Sequence, residues 1–270
     1  MSRKPGEVAE VICSLYEGKT RIPLAKVFVL AILAGAYVGF GSYLYMLVTS
    51  DSSAYVGRGL STMIGGVVFS LGLILIILGG GELFTGNGLI TAACLSGKAR
   101  VVDLVKNWVT VYLGNFVGSI LLAGLIFAAG SYLVFDGSVA ARALQVATSK
   151  TNLGFSDALI RGILCNWLVC LAVWIAASAE DTTGKILAII FPISAFVAMG
   201  FEHSVANMFM IPFGMMIGGD PALVAKAGID MVKLNVAGLV GNLIPVTIGN
   251  IIGGAFFVAT AYWYVYLRKQ

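Results

Sequence analysis

The chain has 270 residues, 59% hydrophobic and only 11% charged, with a net charge of +4 and a mean hydropathy of +0.96. The charged share is less than half of the usual quarter, and the apolar runs are long enough to cross about 30 Å of hydrocarbon as helices, so a soluble globule is excluded. The positive excess sits at the ends of apolar runs, where membrane topology accounts for it, and no nucleic-acid partner is expected.

In chain order, "EVAEVICSLYEGK" places Val8, Val11, Ile12 and Leu15 at helical spacing. Residues 1–22 are therefore predicted to be a cytoplasmic amphipathic helix lying on the membrane surface. Residues 23–270 read as a single transmembrane domain with hydrophobic units near 24–49, 58–97, 102–130, 158–178, 185–217 and 235–266. The first run is too long for a signal-peptide core and has no convincing cleavage site, so it is expected to stay in place.

The second and fifth units are too long for one crossing. Residues 58–79 alone make a helix of about 33 Å, so the chain is expected to turn back at "GGGELFTGN" (Gly79–Asn87) and again at "GFEHSVAN" (Gly200–Asn207), each followed by a short apolar helix. With both termini inside, the cytoplasmic side holds Arg3, Lys4, Lys19, Arg21, Lys26, Lys98, Arg100, Lys106, Lys185, Arg268 and Lys269. The outer side holds Arg58, Arg142, Lys150, Arg161, Lys226 and Lys233, and this imbalance supports that orientation. The aromatic tail "YWYVYLRK" closes the last unit at an interface.

The two halves match each other in order. "ELFTGN" pairs with "EHSVAN", "GNFVGS" (Gly114–Ser119) with "GNIIGG" (Gly249–Gly254), and more weakly "ILAG" (Ile32–Gly35) with "ILCN" (Ile163–Asn166). Three crossings per half is odd, so the repeats, about 23–130 and 155–267, must be inverted, with their breaks meeting near the midplane. The fold class is an all-α membrane protein with six transmembrane helices, three plus three, the second and fifth broken.

Irregular backbone at membrane depth must line a cavity or be buried in protein. At the breaks, Thr85 and Ser204 are placed to cap the short helices, whose positive ends attract anions and disfavour cations. His203, the one histidine in the chain, offers a donor or a titratable charge at the same place, and is expected to carry a pH dependence. Glu82 and Glu202, at equivalent positions, are read as structural, since a carboxylate facing the centre would repel anions. Asn115, Asn166 and Asn250 sit within apolar helices, where an amide must find a partner. Lys150, in "ATSKTNLG", reads as a solvated loop charge, with concentration of anions at the outer mouth as the alternative. Cys13, Cys94, Cys165 and Cys170 form no CxxC pair and read as packing residues, so no metal or cofactor is expected.

"GELFTGN", "GFEHSVANMFMIP" and "NLIPVTIGNIIGG" (Asn242–Gly254) together resemble the formate/nitrite transporter family across nearly the whole chain. The resemblance implies an aquaporin-like fold and a homopentamer with one pore per protomer, so that 23–270 is a channel domain. It places His203 and Thr85 at the pore centre and puts Leu83 and Phe84 on the loop that helps close it. Phe69, Leu73, Val169 and Phe196 become apolar constrictions, Asn166 and Asn250 polar neighbours of the centre, and Lys150 the basic residue of the outer vestibule.

The function so implied is passive or proton-coupled permeation of small monovalent weak-acid anions through the plasma membrane, bacterial inner or cell membrane. Formate comes first. Gly86–Asn87 after Thr85 is also similar to the nitrite and hydrosulfide branches, which stay open. An aquaporin-type neutral-solute pore fits the inverted halves but would carry two NPA boxes, which are absent. An intramembrane enzyme or redox subunit using Glu202 and His203 is disfavoured, because adjacent residues rarely converge on one atom.

Overall fold

The computed structural model describes residues 3–268; Lys269, counted above in the basic tail, lies outside them. After α1 (Pro5–Thr20) the first half runs α2 (Leu24–Val48), then α3 (Ser53–Phe69) and α4 (Leu71–Gly79), joined through Ser70 as one span. A loop over 80–85 re-enters the protein, and a 3-10 turn, Gly86–Leu89, leads into α5 (Ile90–Leu95) before α6 (Val101–Ala128). The second half repeats the pattern with α7 (Ser138–Thr151), α8 (Phe155–Ser178), α9 (Thr182–Ala198), a re-entrant loop over 199–203 and α10 (Ser204–Ile217). It closes with α11 (Pro221–Ala227) and α12 (Val236–Ile251), which continues in wider π-helical turns to Leu267.

Among the described residues five segments are long and apolar enough to span a membrane: Leu24–Val48, Ser53–Gly79, Val101–Ala128, Phe155–Ser178 and Val236–Leu267. The sixth crossing is α9, whose 17 residues reach only about 26 Å. It is completed by the loop that follows.

The inversion is written into the packing. Helix α2 lies chiefly on α6, and α8 on α12. A Cβ on Gly118 of α6 would sit 1.9 Å from the Ile32 carbonyl oxygen, and one on Gly253 would sit 2.2 Å from that of Ile163, so both crossings need a bare backbone at the same place. Both long spans end on a glycine with positive φ, Gly80 (89°) and Gly200 (70°), which any other residue adopts only under strain. Each loop is then pinned by one ladder-like bond, from the Glu82 N–H to the Leu30 carbonyl and from the Glu202 N–H to the Arg161 carbonyl, both 3.2 Å.

Two expectations change at the ends of the repeats. Leu15 is 57% exposed, and helix α1 packs on the protein through a different stripe from the one that Leu15 marks. It buries Val8, Ala9, Ile12, Cys13 and Tyr16 against the rest of the protein, because the stripe 8–12–16 with 9–13 is more continuous than the one through Val11 and Leu15. Arg3 anchors its start, with its N–H on the Ser178 carbonyl (3.0 Å) and its guanidinium on that of Ala177 (2.8 Å). Gly6 approaches Tyr266, so α1 and the end of the last helix share one face of the molecule, called here the α1 face.

The stretch holding Lys150 is not a loop. It is α7, buried along Val139, Ala143, Leu144, Ala147 and Thr151 and packed against α10 on the opposite face, the α7 face.

Candidate permeation centre

Each re-entrant loop is held by a polar cluster, and the two clusters are copies. In the first, Lys19 Nζ pairs with Glu82 Oε1 (2.8 Å), and Asn87 Nδ2 donates to Glu82 Oε2 (2.6 Å) and to Asn107 Oδ1 (2.8 Å). Asn115 clamps the loop, donating to the carbonyls of Ala31 (2.8 Å) and Glu82 (2.9 Å) and accepting the Phe84 N–H (2.9 Å).

In the second cluster Lys150 pairs with Glu202 (2.9 Å), and Asn207 donates to Glu202 (2.6 Å) and Asn242 (2.7 Å). Asn250 donates to the carbonyls of Gly162 (2.8 Å) and Glu202 (2.9 Å) and accepts the Ser204 N–H (2.9 Å). A buried carboxylate loses its hydration, and each glutamate recovers that with one ammonium and one amide. Both glutamates therefore serve the loops they belong to. Glu202 and His203 face different partners and form no acid–base pair.

Lys150, read from sequence as a solvated charge, has a side chain only 12% exposed. Lys19, Asn107 and Asn242 were not singled out from sequence, and Asn87 and Asn207 only as the last residues of the repeated Glu-to-Asn motif. A signal for two of them exists: "NWVTVYLGN" (Asn107–Asn115) and "NLIPVTIGN" (Asn242–Asn250) share an eight-residue spacing that puts both amides on one helix face. Lys19 and Lys150 pair at long sequence distance and carry no such mark.

Between the loops, His203 Nε2 lies 2.9 Å from Thr85 Oγ1, with both residues buried. His203, not Ser204, is the N-cap of α10: its Nδ1 accepts the Ala206 N–H at 3.1 Å, while the Ser204 hydroxyl has no partner. An Nδ1 that accepts carries no hydrogen, so the proton sits on Nε2 and is donated to Thr85. The Thr85 hydroxyl is then free to donate onward. Thr85 caps no amide; its carbonyl accepts from Asn166 Nδ2 (3.1 Å) and the Cys170 thiol (3.4 Å), while Asn166 also reaches the Asn250 carbonyl (2.6 Å).

Two cavities approach this centre from opposite faces and share no lining residue. The α7-face cavity, about 240 Å³, has Phe69, Phe196, Glu202 and His203 at its inner end. Phe69 meets Phe196 edge-on at 5.7 Å, and Phe196 stacks on the imidazole at 6.1 Å. The α1-face cavity, about 460 Å³, ends on Leu73, Leu83, Gly86 and Asn87 below Tyr16 and Lys19. Thr85 and its hydrogen bond to His203 lie between them.

Two of the residues expected at constrictions lie elsewhere. The Phe84 ring turns away from both cavities, packing on Trp108 (6.2 Å) and Tyr112 (4.9 Å), where the turn closed by the Asn87 N–H on the Leu83 carbonyl and the bond from the Phe84 N–H to Asn115 hold it. Val169 is buried on α8 between Asn166 and Cys170 and lines neither cavity; Val173, one turn on, lines the α1-face cavity.

Comparison with known proteins agrees with this geometry. Residues 6–264 match the family model described as "Formate/nitrite transporter". The chain is 42% identical to the "Probable formate transporter" of Methanothermobacter thermautotrophicus, covering 99% of this chain and 98% of that one. It is 41% identical to "Formate channel FocA" of Escherichia coli (strain K12), covering 93% and 90%. Among solved structures, a "Pentameric formate channel with formate bound" superposes with a TM-score of 0.83 at 40% identity, over 91% of this chain and 98% of that one.

Proposed function

The chain belongs to the formate/nitrite transporter family, a family of transporters and not of enzymes, and from that premise we propose that it is a channel for small monovalent weak-acid anions, formate first. The observation that carries the reading is the Thr85–His203 hydrogen bond, buried between two cavities that open to opposite faces. Thr85 and His203 form the centre, with Asn166 and Asn250 shaping it, Phe69 and Phe196 narrowing one side and Leu73 and Leu83 the other.

An anion entering from either cavity loses water at an apolar ring and meets the Thr85 hydroxyl as donor. Among the described residues no unpaired cation stands between the rings: the hydrogen bonds of His203 suit a neutral imidazole, and Lys19 and Lys150 are each paired with a glutamate. Desolvation raises the pKa of a carboxylate, so formate takes a proton from vestibule water there, leaving hydroxide to the bulk on that side, crosses as the neutral acid and returns the proton to water on the other. Net flux then follows the formate and proton gradients. The centre presents one neutral donor, which nitrite or hydrosulfide can also accept; these are the family alternatives.

We assign residues 1–22 to the cytoplasm and 23–270 to the membrane domain, with the α1 face inside, on the excess of Lys and Arg at that face. A pentamer accords with the solved relative. It also accords with the exposed apolar stripe of α6 through Val105, Val109, Leu113, Val117, Leu121 and Leu125, which lipid or a neighbouring protomer must cover.

Swelling of proteoliposomes in ammonium formate tests the reading. Rapid swelling that is lost in Thr85→Val is expected; wild-type liposomes no faster than protein-free ones would end it.

A further inference from the structure

Resting on the channel reading above, we propose that the α7-face vestibule contains a separate carboxylate-binding subsite built on the Arg142 guanidinium, selective for anions that present two oxygens in a plane. The cavity on that face is lined by three cations, Arg142, Lys150 and Arg161. Lys150 is neutralised by Glu202 at 2.9 Å and offers the vestibule little net charge. Arg142 has no carboxylate within 4.0 Å among the described residues.

Neutral groups hold it instead. Arg142 Nε donates to Thr49 Oγ1 (3.0 Å) and Nη2 to the Tyr45 hydroxyl (2.9 Å), with the guanidinium over the Tyr45 ring at 5.6 Å. Thr49 is itself fixed, donating to the Tyr45 carbonyl at 2.7 Å. These bonds orient the fork without cancelling its charge. Of the five guanidinium N–H groups they use two. The Tyr45 oxygen accepts from Arg142, so its own hydrogen is free, and Tyr45 lines the same cavity. A half-buried cation with a planar set of unused donors and a neighbouring phenol matches a carboxylate better than a single-atom anion.

The repeat shows that this is an addition to the common architecture. The register that pairs Lys19 with Lys150 and Ile32 with Ile163 puts Val11 of α1 opposite Arg142 of α7. The α1-face cavity accordingly has no guanidinium; its cations are Lys19, paired with Glu82, and Lys185. The two mouths therefore differ in chemistry, and the α7 face captures formate or nitrite before either reaches the centre.

Radiolabelled formate uptake into right-side-out and inside-out membrane vesicles tests this, with hydrosulfide flux as the single-atom comparison. In Arg142→Gln, half-saturating formate at the α7 face should rise about fivefold to tenfold, with little change from the α1 face, which also shows that the variant is folded. Arg142→Lys keeps the charge but not the fork and should still lose about threefold or more. Hydrosulfide entry should follow wild type in both.

If Arg142→Gln does not reach the membrane, Tyr45→Phe, which leaves the guanidinium and removes the phenolic donor, decides with an expected loss of about twofold. Unchanged half-saturation in Arg142→Gln, an Arg142→Lys channel equal to wild type, or an unaltered Tyr45→Phe in that last case overturns the subsite. Absence of formate flux in the wild type refutes the channel reading and is distinguishable from all of these.

Discussion

Lys150 Nζ lies 2.9 Å from Glu202 Oε1 across 52 residues of sequence, and the pair is the inverted copy of Lys19 with Glu82. The copies differ in burial: the side chains are 12% and 6% exposed in the first pair and 22% and 4% in the second. Removing one member of a buried pair strands the other charge. Lys150→Met should therefore cost about 3–5 kcal/mol of stability, and Lys19→Met distinctly less. Thermal unfolding in nanodiscs reads both. The double variant Lys150→Met/Glu202→Gln should recover most of the loss, and a double variant no better than Lys150→Met would show that the ion pair is not what holds the loop.

At the centre, Thr85 uses its hydroxyl and its carbonyl for different purposes. The carbonyl is held by Asn166 and Cys170, and the hydroxyl faces His203. Thr85→Val keeps the shape and the carbonyl bonds, so the protein should fold and unfold near the wild-type temperature. On the proposed function it loses the neutral donor that a passing anion meets, and formate flux in proteoliposomes should fall by about tenfold or more. A Thr85→Val channel as fast as wild type would move the centre elsewhere.

The helix crossings make a packing prediction with an internal control. A methyl group on Gly253 meets the Ile163 carbonyl at 2.2 Å, a contact of backbone on backbone that no rotamer relieves, whereas one on Gly124 meets nothing within 4 Å. Gly253→Ala should cost at least the roughly 1–3 kcal/mol of an overpacked core and lower the unfolding temperature accordingly, and Gly124→Ala should not lower it. Comparable effects of the two would mean that α8 and α12 are not in this close contact.

The broken spans and the inverted halves were legible because each leaves a local mark, whereas the meeting of Thr85 with His203 was expected from the family resemblance. Glycine at a positive φ, Glu to Asn over six positions, and a histidine in an apolar run are all visible within a few residues. Helix α7 was not legible, since its buried side mixes alanine and threonine with few large apolar residues and its polar residues read as a loop; its burial comes from α10, far away in sequence. The role of Lys19 was hidden for the same reason, as its partner Glu82 is 63 residues on. Phe84 shows the opposite limit: the family resemblance located the loop, but which of two adjacent side chains faces the cavity depends on how Asn115 holds the backbone.

The pH dependence of flux separates two sources for the proton. His203 Nδ1 accepts the Ala206 N–H, so a second proton on the ring would break the N-cap of α10 and set two hydrogens against each other. On the proposed function the imidazole then acts as a neutral donor to Thr85, and the proton that accompanies formate comes from water. Above the pKa of the substrate, flux at fixed total formate should then rise by about tenfold for each unit of falling pH, the rise of the neutral acid itself. His203→Gln retains an N–H that can reach Thr85 and lacks a titrating ring; it should conduct more slowly with the same slope between about pH 7.5 and pH 5.5, a window that brackets the ordinary imidazole pKa of about 6.5. Stopped-flow acidification of the liposome lumen measures both. A slope that flattens in the glutamine variant would assign the proton to His203, and a wild-type flux indifferent to pH would mean that formate crosses with its charge.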